Sequence, residues 1–319
     1  MKKSGITRSA AALALLALLA ACGPQRNTST YTYEPPKPLS LVALIDPSPD
    51  RMPQQLQQLA GVIAQTATPG EAVVVMLLQP GYGQTYVVQK GDSLSSIASA
   101  HALSLDALEQ ANPQLGPLSG RDWKLIHPDE TVVIPDGAAQ PPLLVVSRAP
   151  EGPAPPQLLR LPNAPNNPTD FQKAEYNRSV ASDNATNQQR IAAWQADAQK
   201  AVQPWQQQVV AQLQQKAKAS VPQSKRPDNE MLTTSMQAGL ATLSGLDGRR
   251  LLLLLGGGET GPATLPRNSM AEVNLVIANL ADPSLASRWT SAATTAGAAS
   301  VKPLDPALTR LQLAQIVNA

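Results

Sequence analysis

Three oxygen-bearing side chains stand at alternate positions after an apolar run near the N-terminus. The run LSLVALI is followed by Asp46, Ser48 and Asp50 in the stretch DPSPD. Carboxylate and hydroxyl oxygens are the ligands that Mg²⁺ prefers, and Asp228 would extend the set from a later loop. The same stretch also suits a helix start, because Pro49 is favoured at the first helical position and Asp50 complements the positive helix end. Two interpretations therefore stay open, a magnesium site and a helix cap formed by Ser48.

Side chains that support covalent or zinc catalysis are scarce. His101 and His127 are the only histidines, and Cys22 is the only cysteine. Both histidines lie in one short segment, so the rest of the chain has no Ser-His-Asp triad, Cys-His pair or zinc-histidine cluster. A glycosidase needs two carboxylates facing one cleft, and no such pair stands out by spacing. We predict that the protein is not an enzyme and requires no cofactor, with Mg²⁺ at the Asp46 site as the one candidate ion.

The charge balance excludes nucleic acid as a partner. The formal net charge is +2, and charged residues make up 15% of the chain. Binding to nucleic acid needs a basic stripe or cluster, and no run rich in Lys or Arg occurs in the sequence.

The N-terminus has the pattern of an export signal. Three basic residues precede the apolar run AALALLALLAAC, which is too short to span a bilayer as a mature helix. The run ends in Leu-Ala-Ala-Cys, which resembles the lipobox of bacterial lipoproteins and implies that Cys22 carries the lipid. The alternative is an ordinary secretory leader in which the cysteine is incidental. Acyl chains would give a firm anchor, so we expect an exported protein tethered to the extracytoplasmic face of a bacterial membrane, in the cell envelope.

A strand, two helices and a second strand are predicted within residues 86–135. The segment opens with the strand-forming residues YVV and turns at Gly91. Ser93 caps the first helix and Ser104 the second, because serine oxygens accept the free backbone N–H groups of a first turn. Asn-Pro ends the second helix, and TVVIP returns as the closing strand.

These pieces resemble a lysin motif (LysM) domain, through YVVQKGDSLSSIA, ANPQL and LIHPDETVVIP. One departure is Asp129, where the family has glycine in a turn; aspartate tolerates the left-handed backbone that such a turn needs. The resemblance implies binding of N-acetylglucosamine polymers, peptidoglycan or chitin, in a shallow groove between two loops. The residues that it places in this groove are Gly91, Asp92, Ser93, Leu94, Ile126, His127 and Pro128. The alternative places Leu94 and Ile126 in the core and makes Asp92 a cap.

Outside this segment, apolar strands alternate with helices. The predicted strands are LSLVALI, EAVVVMLL, PLLVVS, RRLLLLLGGGE, EVNLVIANL and ASVKPL. The predicted helices cover about 52–65, 169–219, 230–243, 285–295 and 307–317. This alternation is typical of an α/β fold with a doubly wound, mostly parallel sheet, into which the small βααβ domain is inserted.

The framework resembles a von Willebrand factor A (VWA) domain. In that family the first strand ends in Asp-x-Ser-x-Ser, which begins a metal-ion-dependent adhesion site, and the DPSPD stretch stands at that place. The family's second and third strands form a hairpin, and the LysM-like segment lies between the corresponding strands. The family has an aspartate after its fourth strand, where this chain has the glycines of GGGE and only Glu259 is near. The position of the family's threonine, between the long helical region and the next helix, falls near Asp228 or Asn229.

Four domains are predicted: a signal peptide at 1–21, a linker after the lipidated cysteine at 22–38, a VWA-like platform in the two segments 39–85 and 138–319, and a LysM domain at 86–135. The predicted function is attachment to cell-wall polymer or display of a protein partner at the envelope. Two alternatives are a wall-remodelling hydrolase that LysM delivers to its substrate and a metal-dependent adhesion protein.

Overall fold

The computed structural model describes residues 29–79, 84–136, 143–219, 227–262, 264–280 and 282–304. The predicted leader with Cys22 and the predicted helix at 307–317 lie outside these residues. The strands are β1 (Thr30–Thr32), β2 (Leu39–Ile45), β3 (Ala72–Leu77), β4 (Gln84–Val87), β5 (Thr131–Ile134), β6 (Leu143–Arg148), β7 (Gln157–Leu159), β8 (Arg249–Leu254), β9 (Val273–Ile277) and β10 (Ser300–Pro303). The α-helices are α1 (Met52–Thr66), α2 (Leu94–Ala100), α3 (Leu105–Ala111), α4 (Asp170–Lys218), α5 (Asn229–Ser244) and α6 (Pro283–Thr295).

Six of these strands form one sheet in the order β10-β9-β8-β2-β3-β6. Five of them run parallel to one another. The sixth, β6, lies at the edge of the sheet and pairs antiparallel with β3. All seven residues of β2 are buried, which fits its central place and its unbroken apolar sequence. The mostly parallel α/β sheet predicted from the sequence is thereby confirmed.

Helices cover both faces of the sheet. Alternate residues of each strand point to opposite faces, so Leu41 and Ala43 join one core while Val42 and Leu44 join the other. The first core is completed by α1 and by the later part of α4, and the second by α5 and α6. Two separate apolar layers of this kind define a doubly wound sheet.

A stripe along α4 packs partly against this sheet. Val202, Trp205 and Val209 lie in the first core, and the Trp205 indole N–H donates to Ser147 Oγ at 2.7 Å. Trp194, earlier in the same helix, instead contacts the ring of Tyr33 edge to face. Only the later half of α4 therefore packs on the sheet.

The chain divides into two compact units. The first contains residues 29–35 and 154–195, and the second contains 36–153 and the described residues from 196 onward. In the first unit β1 pairs antiparallel with β7, and Asn187 exchanges hydrogen bonds of 2.7 and 2.8 Å with the backbone of Leu159. The segment 22–38, predicted as a linker, thus contains strand β1. Residues 154–195, predicted as part of the platform, belong to the first unit. None of the described helices combines the length and apolarity needed to cross a bilayer.

Glu71 is a buried acid directly before β3. Its Oε2 accepts a hydrogen bond from the Thr68 backbone N–H at 2.9 Å, while Oε1 has no hydrogen-bond partner within the described part of the chain. Burial raises the pKa of the Glu71 carboxyl to about 7, against the opposing influence of the Thr68 hydrogen bonds and the Arg249 charge. The carboxyl is therefore held protonated in slightly acidic solution.

We expect this group to make stability depend on pH. Between pH 4.5 and about 7 the folded state keeps a proton that the unfolded state has lost, so the free energy of unfolding falls as pH rises through this window. The full difference is about 3 kcal/mol at 1.36 kcal/mol per pKa unit. Glu71→Gln should remove the decline, so that the variant equals the wild type near pH 4 and is more stable at pH 8.

Urea unfolding at a series of pH values measures this difference. Glu151→Gln is the matched control, because Glu151 lies near Gly70 in the same region but its side chain is mostly exposed. If the free energy of unfolding of Glu71→Gln declined with pH as in the wild type, Glu71 would not be the group responsible.

Candidate functional site

The segment predicted as the carbohydrate-binding domain forms a compact βααβ body, here called the inserted domain (residues 84–136). Strands β4 and β5 pair antiparallel, and α2 and α3 cover them. The domain has its own small core, built from Val88, Leu94, Ile97, Ala98, Leu108, Leu115, Val132 and Ile134. The predicted serine caps are confirmed: Ser93 forms a capping box with Ser96, and Ser104 accepts from the Ala107 backbone N–H.

Asn112 joins the end of α3 to the closing strand. Its amide nitrogen donates to the carbonyls of Leu108 and Val133, both at 2.8 Å, and its oxygen accepts from the Val133 N–H at 2.7 Å. The side chain is completely buried. The polar atoms of Asn112 are thus satisfied only while α3 and β5 keep their relative position.

The inserted domain shares a face with the sheet unit. Val132 of β5 belongs to the domain's own core, whereas the next residue, Val133, joins the second core of the sheet together with Ala111 and Leu118. A Cβ on Gly245, just after α5, would lie 2.7 Å from Gln114 Cγ, so glycine permits the close approach of the two parts. The domain is therefore packed onto α5 rather than carried on a free linker.

Two loops meet at one end of the inserted domain. The N–H of Val88 donates to the Glu130 carbonyl at 2.9 Å, and the Val88 carbonyl accepts from the Asp129 N–H at 2.9 Å. This ladder brings the turn at residues 89–93 beside the loop at 126–130. The two loops that the LysM resemblance implies as walls of the groove are thus neighbours.

Asp92 organises the first wall. Its Oδ2 accepts from the Gln89 backbone N–H and from the Tyr86 hydroxyl, both at 2.7 Å. These bonds to the charged form hold the pKa of Asp92 below its usual value and raise the pKa of Tyr86. Gly91 allows the turn with φ of +97°. Asp92 is therefore a turn-forming residue that ties the turn to the Tyr86 hydroxyl of β4.

The second wall is fixed by Glu130. One carboxylate oxygen accepts from the His127 backbone N–H at 2.8 Å, and the other pairs with Arg121. Asp129 adopts the left-handed backbone with φ of 71°, as expected for an aspartate at the family's glycine position. His127 and Pro128 are exposed at the surface of this loop.

The apolar residues of the predicted groove lie differently. Leu94 is a member of the domain's core, and Ile126 is half-buried against it. The core interpretation therefore describes Leu94, and its side chain does not line the groove. Leu125 was missed by the sequence reasoning, yet its side chain is 56% exposed beside Ile126. Its signal in the sequence was an apolar residue directly before the second wall.

Three of the four residues predicted to hold a metal follow β2, and the fourth, Asp228, lies at the start of α5. Asp46 and Ser48 are buried in contact, with Oδ1 of Asp46 accepting from the Ser48 N–H at 2.9 Å and from its hydroxyl. Asp50 is exposed, and the carboxylate of Asp228 accepts from the Met231 N–H as the cap of α5. The structure thus brings together only the first two of the four.

The alternative for this stretch, a helix cap by Ser48, was wrong in detail. Helix α1 begins at Met52 with Arg51 as its N-cap residue and no side-chain capping hydrogen bond. The Ser48 hydroxyl is engaged by Asp46, and only the Ser48 carbonyl, which accepts from the N–H groups of Arg51 and Met52, supports the turn.

Comparison with known proteins identifies the inserted domain. Residues 86–135 match the LysM domain family, over the range predicted from the sequence. The chain is 42% identical over 52 residues to the teichoic acids export ATP-binding protein TagH of Lactococcus lactis subsp. lactis (strain IL1403). That match covers 16% of this chain and 10% of the relative, so the chain spans about a tenth of the relative's length. No solved structure matches the chain.

Asn112→Asp should destabilise the LysM domain by about 2 kcal/mol or more, because it replaces two donated hydrogen bonds by an acceptor facing two buried carbonyls. Thermal unfolding of the variant measures the loss. Gln110→Glu, on the exposed side of α3, adds the same charge as a control and should leave the melting temperature nearly unchanged. Equal stability of the two variants would contradict the role of Asn112.

Asp129→Gly should stabilise the domain by about 0.5–1 kcal/mol, because glycine adopts a positive φ without the contact that a Cβ makes. Asp122→Gly is the control in the same loop, since Asp122 does not have a positive φ and its carboxylate accepts from the Lys124 N–H. The control should lower stability, and urea unfolding distinguishes the two signs. A loss at both positions would show that Asp129 is not strained.

Proposed function

We propose that this protein is a lipid-anchored envelope protein that binds peptidoglycan, or another N-acetylglucosamine polymer, through its LysM domain. The match of residues 86–135 to the LysM family carries the proposal. The junction of two surface loops supports it, with polar Asp92 and Ser93 on one wall, His127 on the other and exposed Leu125 directly before the second wall. Sugars bind such surfaces because hydroxyl and acetamido groups need hydrogen-bond partners while ring faces and acetyl methyls need apolar contact.

The anchor is the second part of the proposal. The basic leader, the short apolar run and Cys22 support export followed by lipidation. A tether would hold the LysM domain at a high effective concentration of wall polymer and so offset the weak binding of one small module. The similar stretch of TagH belongs to a protein named for the export of a wall polymer, which fits an envelope location.

The third part is that the sheet unit is a VWA-like platform for attachment or protein interaction. Its strand order, read from the first strand of the sheet, is 3-2-1-4-5-6, the order of classic doubly wound folds. Its second and third strands, β3 and β6, form the antiparallel pair that the VWA resemblance implied. The LysM domain is inserted between these two strands, at the tip of their hairpin, where an insertion disturbs the core least.

Sedimentation with purified peptidoglycan tests wall binding. The mature protein should sediment with the insoluble polymer and release no soluble muropeptides. Release of fragments would favour the alternative of a wall-remodelling hydrolase, and failure to sediment would remove the binding proposal.

Leu125→Ala should weaken this sedimentation about fivefold, because removing an exposed apolar contact of about 1 kcal/mol changes the dissociation constant by that factor. Leu105→Ala is the matched control, since Leu105 is 40% exposed but lies on α3, which contributes no residue to the two walls. Binding curves for the two variants at equal folded concentration give the comparison. An equal loss in both would show that Leu125 has no specific part in binding.

A further inference from the structure

A single buried carboxylate lies where the carboxyl ends of β2 and β8 meet. Asp46 is 1% exposed, and its backbone N–H donates to Gln55 Oε1 at 2.9 Å. Its Oδ1 is occupied by Ser48, as described above, whereas Oδ2 receives no hydrogen bond from any described residue. This point lies between the first and fourth strands in sheet sequence, where the strand order reverses and doubly wound folds bind their ligands.

The positive charge nearest to Oδ2 comes from the chain itself. Nη1 of Arg51 lies 3.5 Å from Asp46 Oδ2 and also pairs with Glu259 Oε1. The Arg51 side chain is 35% exposed and that of Glu259 is 48% exposed, so the pair forms the outer boundary of the site. The guanidinium thus bridges a buried carboxylate and a surface carboxylate.

The other wall of the site has no room for a second acid. A Cβ on Gly256 would lie 2.4 Å from Asp46 Cβ and 2.7 Å from Gln55 Nε2. The aspartate that a VWA adhesion site has after its fourth strand therefore does not fit here while Asp46 keeps its place. The loop after β8 instead comes close to the backbone of β2.

The residues present do not fit a divalent cation. Mg²⁺ needs near-octahedral oxygen ligands, and in the described part of the chain no three His, Cys, Asp or Glu side chains come together as such a group. Asp50 is exposed and Asp228 caps α5. The one Asp46 oxygen without a hydrogen bond faces a guanidinium, which repels a metal ion.

The position of Arg51 is itself unfavourable without such a partner. Arg51 is the N-cap residue of α1, where the partial positive charge of the helix end disfavours a cation. A buried carboxylate, in turn, is costly without a counter-charge. Pairing the two groups removes both penalties at once.

We propose that Arg51 supplies the positive charge in place of a divalent cation at this site. The platform then keeps the aspartate position of a metal-dependent adhesion fold, and the guanidinium of Arg51 neutralises the charge of that aspartate, Asp46. Contact of the platform with a partner would not require bridging metal and would survive chelators.

Manganese binding and a double-mutant cycle test the proposal in the purified protein. The electron paramagnetic resonance spectrum of free Mn²⁺ should not diminish when wild-type protein is added, and millimolar Mg²⁺ should leave the melting temperature unchanged. Arg51→Gln should lower the melting temperature by several degrees, because it leaves Asp46 buried without a counter-charge. Arg51→Lys keeps the charge and should lose less, and Asp46→Asn combined with Arg51→Gln should recover stability relative to Arg51→Gln alone.

Three outcomes of these experiments would overturn the proposal. Mn²⁺ binding by the wild type that Asp46→Asn abolishes would overturn the proposal and establish a metal site. An Arg51→Gln protein as stable as the wild type, or one that Asp46→Asn fails to rescue, would also overturn it. If Arg51→Gln does not fold, folding of the double variant is the rescue, and its failure counts against the proposal. None of these readouts involves wall polymer, so they are independent of LysM function.

Discussion

The antiparallel pairing of β3 with β6 is the constraint on which the second unit depends. It pairs Met76 with Leu143, although the whole LysM domain lies between them in sequence. The inserted domain meets this requirement because β4 and β5, its first and last strands, are themselves an antiparallel pair. Its first and last strands therefore lie side by side, as a domain inserted between two paired strands requires. A domain with distant termini would have opened the hairpin.

Packing then converts this insertion into a fixed arrangement. Because β5 is buried on both faces, Val132 stabilises the LysM core while Val133 stabilises the sheet's second core. Helix α5 contacts β4 and β5 as well as β2, so it links the LysM domain to the centre of the sheet. The covered face carries Ala111, Leu118 and Val133, whereas the loops that form the proposed groove remain exposed. The proposed groove and the covered face thus lie on different parts of a very small domain.

The sequence predicted helices and strands well wherever the spacing of apolar residues followed one clear pattern. Unbroken runs of Val, Leu and Ile predicted the strands of the main sheet, and serines before apolar helices predicted the LysM caps. The strands β1 and β7 were missed because three residues carry no period, and their unit became visible only through contacts such as Asn187 with Leu159. Sequence order showed in which segment Leu94 and Leu125 lie, but it did not show that the side chain of Leu94 is buried and that of Leu125 exposed, because exposure depends on the direction of the side chain in the folded domain.

The same limit explains why DPSPD stayed ambiguous. Metal site and helix cap both depend on where the Ser48 hydroxyl points, and that direction is set by a carboxylate only two residues away. The decisive partner, Arg51, is one residue beyond the stretch, and its pairing with Asp46 depends on a glycine loop about two hundred positions later in the chain. Gly256 lets that loop approach until a second acid cannot fit, which leaves a single buried charge to be balanced. In the proposed arrangement a single buried carboxylate is matched by one guanidinium, whereas a divalent ion would need more oxygen ligands and more negative charge than the described residues at this end of the sheet provide.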